Sequence, residues 1–310
     1  MLKKVLKKYW ILLSIVFVIL IPTIIFTTVR TNYDAYIPGA IEKVGEVVEI
    51  NTDNKSDNYY STSVYYIDRI TLFQKLVFSN SNESLVYKRA KGMTSEKDRL
   101  QGELEHNSAI YTSLISAYKE ANIDLDYKFI GYYVYDTTSK NINIGDVVIG
   151  NDYEDCVNNL KNNEIKILRN NNETTISLND GDKVALYYPY YEINNDKIQV
   201  YPSNNGGPSA GLMQALKLYD DLVTDNLATN YKVGGTGTID ENGNVGAIGC
   251  VGLKIYTAIY NKVDIFFIPE ENRVEAESYL KKIKTNMKIV YVNTLSEAIN
   301  YLKGVWYEKV

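Results

Sequence analysis

The chain has 310 residues and a mass of 35.3 kDa, enough for one large domain or two small ones. Apolar residues make up 45% and charged residues 23%, which excludes an intrinsically disordered chain. The formal net charge of −5 is opposite in sign to that of most nucleic-acid-binding proteins, so no nucleic-acid partner is predicted. The single histidine, His106, and the two cysteines, Cys156 and Cys250, are too few for an ordinary zinc site, and no metal or cofactor is predicted.

An uncharged, apolar stretch at residues 9–29 follows a basic amino terminus. At 1.5 Å per residue this stretch reaches about 30 Å, the thickness of the hydrocarbon core of a bilayer. Lysines precede it, and only Arg30 follows it closely. The positive-inside rule therefore predicts a cytoplasmic tail at 1–8, a transmembrane helix at 9–29 and an extracytoplasmic remainder of a single-pass protein of the cell membrane. The alternative is a cleaved signal peptide, but the run is longer than a usual signal core and no Ala-x-Ala site follows.

The segment after this span predicts strands and then one long helix. Residues 35–50 and 61–78 are rich in β-branched and aromatic residues, as is typical of strands. Apolar residues recur on one helical face between 94 and 122, and Thr94 or Ser95 could cap that helix. Residues 123–182 read as a small, asparagine-rich block of strands with a short helix near 153–159, and strands and helices alternate from 183 onward.

A glycine-rich turn, Gly-Gly-Pro-Ser-Ala-Gly at 206–211, leads into a predicted amphipathic helix. Ser209 would lie at the amino terminus of this helix, where free amide groups can stabilise an oxyanion. Such a turn is also typical of a phosphate loop, a bare cap or a simple corner, but no Gly-Lys-Ser/Thr sequence follows to indicate a Walker loop. Asp220 and Asp221 lie further along the helix and are predicted on its solvated face.

Serine is a poor nucleophile without a base, and His106 is the only histidine. The base must then be a lysine or a carboxylate. A hairpin is predicted with its turn at 241–243, and the helix after it carries Lys254 on the same face as Ala258. To be half neutral near pH 7, a lysine needs a pKa shift of about 3 units, or about 4 kcal/mol, which requires a specialised pocket. The alternative is a surface lysine.

Together, these two segments resemble the proteolytic domain of the Lon protease family, which uses a Ser–Lys dyad. Residues 207–211 resemble its nucleophile motif, and residues 234–237 (GGTG), 243–249 (GNVGAIG) and Lys254 resemble its second motif. The resemblance implies that Ser209 is the nucleophile, that Lys254 is the general base and that the hydroxyl of Thr236 orients the lysine. It gives supporting positions to Gly207 and Ala210, with backbone amides near Ser209 holding the oxyanion.

The whole layout resembles bacterial membrane-anchored Lon-like proteases that carry an inserted PDZ domain and lack the ATPase module. The implied fold class is α+β, with a Lon-type catalytic domain built from residues 30–122 and 183–310 and a PDZ-like insertion at 123–182. Residues 142–149 (INIGDVVI) carry the hydrophobic-Gly-Asp element of such an insertion. Cys250 is a departure, because the family commonly has glycine there.

The function implied by the resemblance is an ATP-independent serine endopeptidase without a cofactor. Its substrates would be exported peptides or flexible segments of membrane-proximal proteins. Lon domains often form rings, so a homo-oligomer is compatible with the resemblance, and the sequence does not decide the assembly. The alternative is a catalytically inactive, membrane-tethered scaffold that binds peptides through the PDZ-like block by strand addition.

Overall fold

The computed structural model describes residues 2–52, 57–89, 94–162, 164–203 and 206–307. The helices in these ranges are α1 (Leu2–Thr28), α2 (Leu72–Ser79), α3 (Ser95–Glu120), α4 (Tyr153–Asn159), α5 (Gly211–Val223), α6 (Val251–Tyr260), α7 (Arg273–Leu280) and α8 (Leu295–Tyr307). Two short 3₁₀ turns occupy Val44–Glu46 and Glu270–Asn272.

The strands in the same ranges are β1 (Tyr33–Lys43), β2 (Val48–Ile50), β3 (Tyr59–Ile67), β4 (Leu85–Lys88), β5 (Tyr127–Thr137), β6 (Val147–Ile149), β7 (Glu164–Arg169), β8 (Asn172–Ser177), β9 (Val184–Ile193), β10 (Ile198–Val200), β11 (Val233–Gly235), β12 (Thr238–Ile239), β13 (Val245–Gly246), β14 (Ile265–Pro269) and β15 (Lys288–Val292). This mixture of helices and strands agrees with the predicted α+β class.

The chain divides into two compact units. The smaller unit comprises Met1–Pro38 and Val64–Met93, and the larger unit comprises Gly39–Ser63 and Thr94–Val310. The strands β1 and β3 contribute residues to both units. All of the predicted site residues lie in the larger unit.

The smaller unit contains the apolar amino-terminal helix. Within α1, residues Lys8–Thr28 are long and apolar enough to cross a membrane by length and composition, and none of this stretch is buried. In the same unit, β1 and β4 pair antiparallel, with Tyr33 opposite Lys88.

The expected strand over 61–78 is wrong in its second half, because residues 72–79 form α2. A capping box starts this helix: the Gln74 amide donates to Thr71 Oγ1 (3.2 Å), and the Thr71 amide donates to Gln74 Oε1 (2.9 Å). Each side chain satisfies a backbone donor that would otherwise lack a partner at the helix start. This local pairing outweighs the β-branched and apolar content of the segment.

The larger unit is built on four parallel strands in the order β15-β14-β11-β3. β14 is buried along its whole length, as expected for a strand covered on both faces. The predicted long helix is confirmed as α3, with Thr94 as its cap, and it packs against α5 through a core that includes Ile110, Leu114, Leu212 and Leu216. The short β11 ends at Gly235, so Thr236 projects from the carboxyl edge of the sheet.

A second sheet follows α3 in the larger unit. It has five antiparallel strands in the order β8-β7-β6-β5-β9, and α4 packs on it. Its own apolar core includes Val134, Val148, Cys156 and Ile167. The last strand, β9, lies beyond residue 182, where the predicted insertion ends, and pairs with β5 along its length.

Candidate active site

Ser209 is held in a tight turn immediately before α5. Gly207 has φ +94°, a left-handed conformation that side chains rarely adopt, and its amide donates to the Gly102 carbonyl of α3 (2.9 Å). The Ser209 carbonyl accepts hydrogen bonds from the Gly237 amide (2.8 Å) and from Thr236 Oγ1 (3.1 Å). The turn is therefore fixed from two sides, by α3 and by the loop after β11.

Lys254 reaches this turn from inside the molecule. It lies on α6, whose first eight residues are all buried, and only 4% of Lys254 is exposed. Its Nζ lies 2.5 Å from Ser209 Oγ and 3.0 Å from Thr236 Oγ1. The structure therefore brings together the three residues that the two motifs singled out.

Burial also sets the charge state of this amine. It lowers the pKa of Lys254 from 10.5 to about 8, while negative charge on the nearby Cys250 sulfur acts in the opposite direction. A substantial fraction of the side chain is then neutral at mildly alkaline pH. The expected alternative of a solvated surface lysine does not fit this environment.

A neutral lysine fits the two hydroxyl groups around it, those of Ser209 and Thr236. The amine has two N–H donors and one lone pair; one N–H can donate to Thr236 Oγ1, which in turn donates to the Ser209 carbonyl. The lone pair is then free to accept the proton of the Ser209 hydroxyl. Thr236, which is fully buried, thus orients the amine towards Ser209.

His106 does not take part in this arrangement. It lies on α3, and its Nε2 has no hydrogen-bond partner among the described residues. Burial lowers its pKa, which keeps the imidazole neutral. The basic group within hydrogen-bonding distance of Ser209 Oγ is the Lys254 amine instead.

Cys250, the residue before α6, has φ +60°. This left-handed conformation favours glycine, which is the residue that the family resemblance leads us to expect there. Both cysteines are free thiols, and burial raises the pKa of the Cys250 thiol. Cys250 therefore sits beside the amine as a largely protonated neighbour.

A cavity of about 690 Å³ opens beside Ser209. One wall is the hairpin of β12 and β13, in which Thr238 pairs with Gly246, so the predicted hairpin is confirmed. The cavity is lined by aromatic rings, by carboxylates and by small residues, among them Tyr132, Tyr187, Tyr188, Asp240, Glu241 and Glu271. Its size and openness suit an extended peptide segment.

Tyr132, Tyr187 and Tyr188 form a tyrosine wall of the cavity, and the sequence did not reveal the residues that hydrogen bond to this wall. Tyr188 has φ +60° within β9, and Glu105 of α3 hydrogen bonds both Tyr188 and Tyr135, the latter at 2.6 Å. Burial raises the pKa of Glu105 above its usual range. These residues are distant along the chain and belong to no local motif, so only the folded structure places them together.

The prediction that Asp220 and Asp221 lie on a solvated face is wrong, since each is 1% exposed. Asp220 accepts hydrogen bonds from the Tyr59 hydroxyl (2.9 Å) and from the Leu227 amide (3.1 Å). Asp221 forms a buried ion pair with Lys217. Both aspartates have structural partners within the core around α5.

The remaining site predictions concern Ala210 and metal binding. Ala210 is the residue that caps α5, and its carbonyl accepts from the Gln214 amide (3.0 Å). In the part of the chain that the structure describes, no three His, Cys, Asp or Glu side chains cluster in a way that could hold a metal ion.

Known proteins match the region that carries this site. The family model for the Lon protease (S16) C-terminal proteolytic domain matches residues 199–303. The chain is 28% identical over 99 residues to the Lon protease of Neorickettsia sennetsu, 30% over 94 residues to that of aster yellows witches'-broom phytoplasma and 30% over 93 residues to that of Chlamydia pneumoniae. These matches cover 30–32% of this chain and only 11–12% of each relative. A Lon protease C-terminal proteolytic domain is therefore present in this chain, and Ser209, Thr236 and Lys254 lie within it.

Proposed function

We propose that the chain is a serine endopeptidase that uses Ser209 and Lys254 as a catalytic dyad. The observation that carries the proposal is the 2.5 Å separation of Lys254 Nζ and Ser209 Oγ, with burial lowering the pKa of the lysine to about 8. A buried, partly neutral amine next to a serine hydroxyl at a cavity is the arrangement that general-base activation of the hydroxyl requires.

In the mechanism, Ser209 Oγ attacks the carbonyl carbon of a peptide bond while Lys254 accepts the hydroxyl proton. The lysine then gives this proton to the leaving amine, which departs and leaves an acyl-enzyme. A water molecule, deprotonated in turn by Lys254, hydrolyses the ester and restores Ser209. Thr236 keeps the amine oriented throughout these steps.

The developing oxyanion needs backbone donors near Ser209. Pro208 has no amide hydrogen, and the amides of Gly207 and Gly211 already donate to the carbonyls of Gly102 and Pro208. We therefore assign the oxyanion to the amides of Ser209 and Ala210. The contribution of Gly207 is then conformational, through its left-handed backbone.

The location and substrates belong to the same proposal. The apolar part of α1 would anchor the chain in the cell membrane, with residues 1–8 cytoplasmic and the catalytic domain outside. Substrates would be exported peptides or flexible membrane-proximal segments, cleaved without ATP. The block at 123–182, which supplies β5 to β8 of the five-stranded sheet, would act as the PDZ-like insertion and bind peptides by strand addition.

The test is peptide cleavage by the full chain and its Ser209→Ala and Lys254→Ala variants, read by mass spectrometry of a peptide library. Matched controls are Ser278→Ala and Lys281→Ala, which alter an exposed serine and an exposed lysine in and after α7. We expect both dyad variants to lose cleavage and both controls to keep it. Turnover by either dyad variant would refute the dyad.

A serine-reactive phosphonate probe separates this proposal from the inactive-scaffold alternative. An active dyad predicts covalent labelling of Ser209 in the wild-type chain and none in Lys254→Ala. A chain that binds peptides but neither cleaves them nor reacts with the probe would favour the scaffold.

A further inference from the structure

The helix α2 of the smaller unit presents an apolar face to its surroundings. Leu72, Phe73, Leu76 and Val77 are 38%, 48%, 56% and 45% exposed. Their spacing places them on one side of the helix. The other side carries Gln74, which forms the cap, and Lys75, whose ammonium lies 3.3 Å from the centre of the Tyr33 ring. A helix at a water-facing surface normally exposes its polar side and buries its apolar side, whereas α2 exposes its apolar side.

This apolar face adjoins the end of the apolar helix α1. The Leu72 amide donates to the Val29 carbonyl (3.3 Å), directly after α1 ends. The rings of Phe26, in the last turn of α1, and Phe73 meet edge to face with centroids 6.0 Å apart. The exposed surface of α2 is therefore continuous with the unburied surface of α1.

The depth of this contact follows from helix geometry. The apolar stretch ends at Thr28, and Phe26 lies about 3 Å before that end along the helix axis. If α1 spans a bilayer, Phe73 would lie level with the boundary between acyl chains and headgroups, where interfacial helices bury their apolar faces. Two exposed arginines, Arg30 and Arg69, flank the start of α2, and Arg30 Nη1 donates to the Arg69 carbonyl (3.3 Å). Their guanidinium groups are placed to meet lipid phosphates.

We propose that α2 is an interfacial helix whose face of Leu72, Phe73, Leu76 and Val77 is buried in the outer leaflet of the lipid bilayer. The proposal rests on membrane anchoring by α1, which belongs to the proposed function. The smaller unit would then contact the membrane at two places, through a spanning helix and through a helix lying in the plane of the interface.

The test uses tryptophan fluorescence of the full chain in phosphatidylcholine–phosphatidylglycerol vesicles that contain nitroxide-labelled lipids. The reporter is Leu76→Trp in a chain that also carries Trp10→Phe and Trp306→Phe; Val77→Trp serves if the first variant does not fold. The matched control is Val274→Trp in the same background, at a position 83% exposed on α7. We expect a blue-shifted emission that the labelled lipids quench for the α2 reporter, and an unquenched, water-like emission for the control.

A third chain, Trp306→Phe alone, reports on α1 through the native Trp10. Quenching of Trp10 without quenching of the α2 reporter would overturn the interfacial helix and leave the anchor intact. Absence of quenching at both would overturn the anchor as well. A blue-shifted α2 reporter that lipids do not quench would mean that protein covers this face, which also overturns the proposal. The Ser209 and Lys254 variants test catalysis independently of all three outcomes.

Discussion

Replacing Lys254 by methionine should stabilise the protein at neutral pH while abolishing its activity. The folded-state pKa is about 8 and the ordinary value is 10.5, so below pH 8 folding places a charged ammonium in a site that disfavours it. Between pH 8 and 10.5 the unfolded chain binds more protons at this residue than the folded chain does. The contribution of Lys254 to the stability of the wild type therefore rises with pH across this window.

The magnitude follows from the two pKa values. At pH 7 the buried ammonium costs about 3.3 kcal/mol, and at pH 10 it costs about 0.8 kcal/mol. The methionine variant avoids this cost but loses the hydrogen bonds to Ser209 and Thr236, worth about 2 kcal/mol together. The variant should be more stable than the wild type by about 1 kcal/mol at pH 7 and less stable by about 1 kcal/mol at pH 10.

Urea unfolding of both proteins in detergent micelles, followed by circular dichroism at pH 7 and pH 10, measures this reversal. Apart from Cys250, whose thiol interacts electrostatically with Lys254, the other groups titrate alike in the two proteins and cancel in the difference. Ser209→Ala is the control, because it keeps the buried lysine and should follow the wild-type pH dependence. A stability difference of constant sign and size at both pH values would refute the assignment of a depressed pKa.

The remaining predictions test activity and packing. The kcat/KM of the wild type should rise about tenfold from pH 7 to pH 9, because the neutral fraction of Lys254 rises from about one tenth to about nine tenths; a flat profile would contradict a lysine base. Thr236→Val should lower kcat/KM at least about tenfold, because it removes the hydroxyl's hydrogen bonds to the Lys254 amine and to the Ser209 carbonyl, and one such bond is worth about 1.4 kcal/mol; Thr236→Ser should restore it. Lys217→Ala should destabilise the protein by about 3–5 kcal/mol in urea unfolding because it removes a buried ion-pair partner of Asp221, and Lys217→Met with Asp221→Leu should recover most of that loss. Gly235→Ala should cost about 1–3 kcal/mol in the same assay, since its Cβ would lie 2.5 Å from Met213 Sδ and 3.0 Å from the Phe267 carbonyl oxygen.

Residues close together along the chain were largely predictable. The apolar run of α1 and the periodicity of α3 are local patterns, and the capping threonine of α3 could be named in advance. Ser209 and Lys254 could be named from the sequence as the candidate dyad, because each lies in a glycine-containing motif whose order and spacing along the chain are distinctive. The backbone conformation of such a motif requires glycine at particular positions, so the motif can be recognised from the sequence alone.

Local patterns misled where polar side chains had tertiary or capping partners. From the sequence, Asp220 resembles a solvent-facing residue of an amphipathic helix. In the structure it accepts hydrogen bonds from the Tyr59 hydroxyl and from the Leu227 amide, and both donors lie outside the helix that carries Asp220. The α2 segment reads as a strand by composition, and its helix depends on two reciprocal hydrogen bonds between Thr71 and Gln74. Composition alone cannot show which hydrogen bonds a polar group will find.

The sequence by itself determined which residues are candidates for the chemistry: one serine in a glycine-rich turn and one lysine on an apolar helix face, with His106 as the single histidine. Only the tertiary structure decided that the lysine is partly neutral, because its pKa depends on how completely α6 and the loop after β11 exclude water from the amine. The tyrosine wall and Glu105, which hydrogen bonds to Tyr188, likewise come from segments far apart in the chain. Contacts of this kind produce no local sequence pattern, so only the tertiary structure shows them.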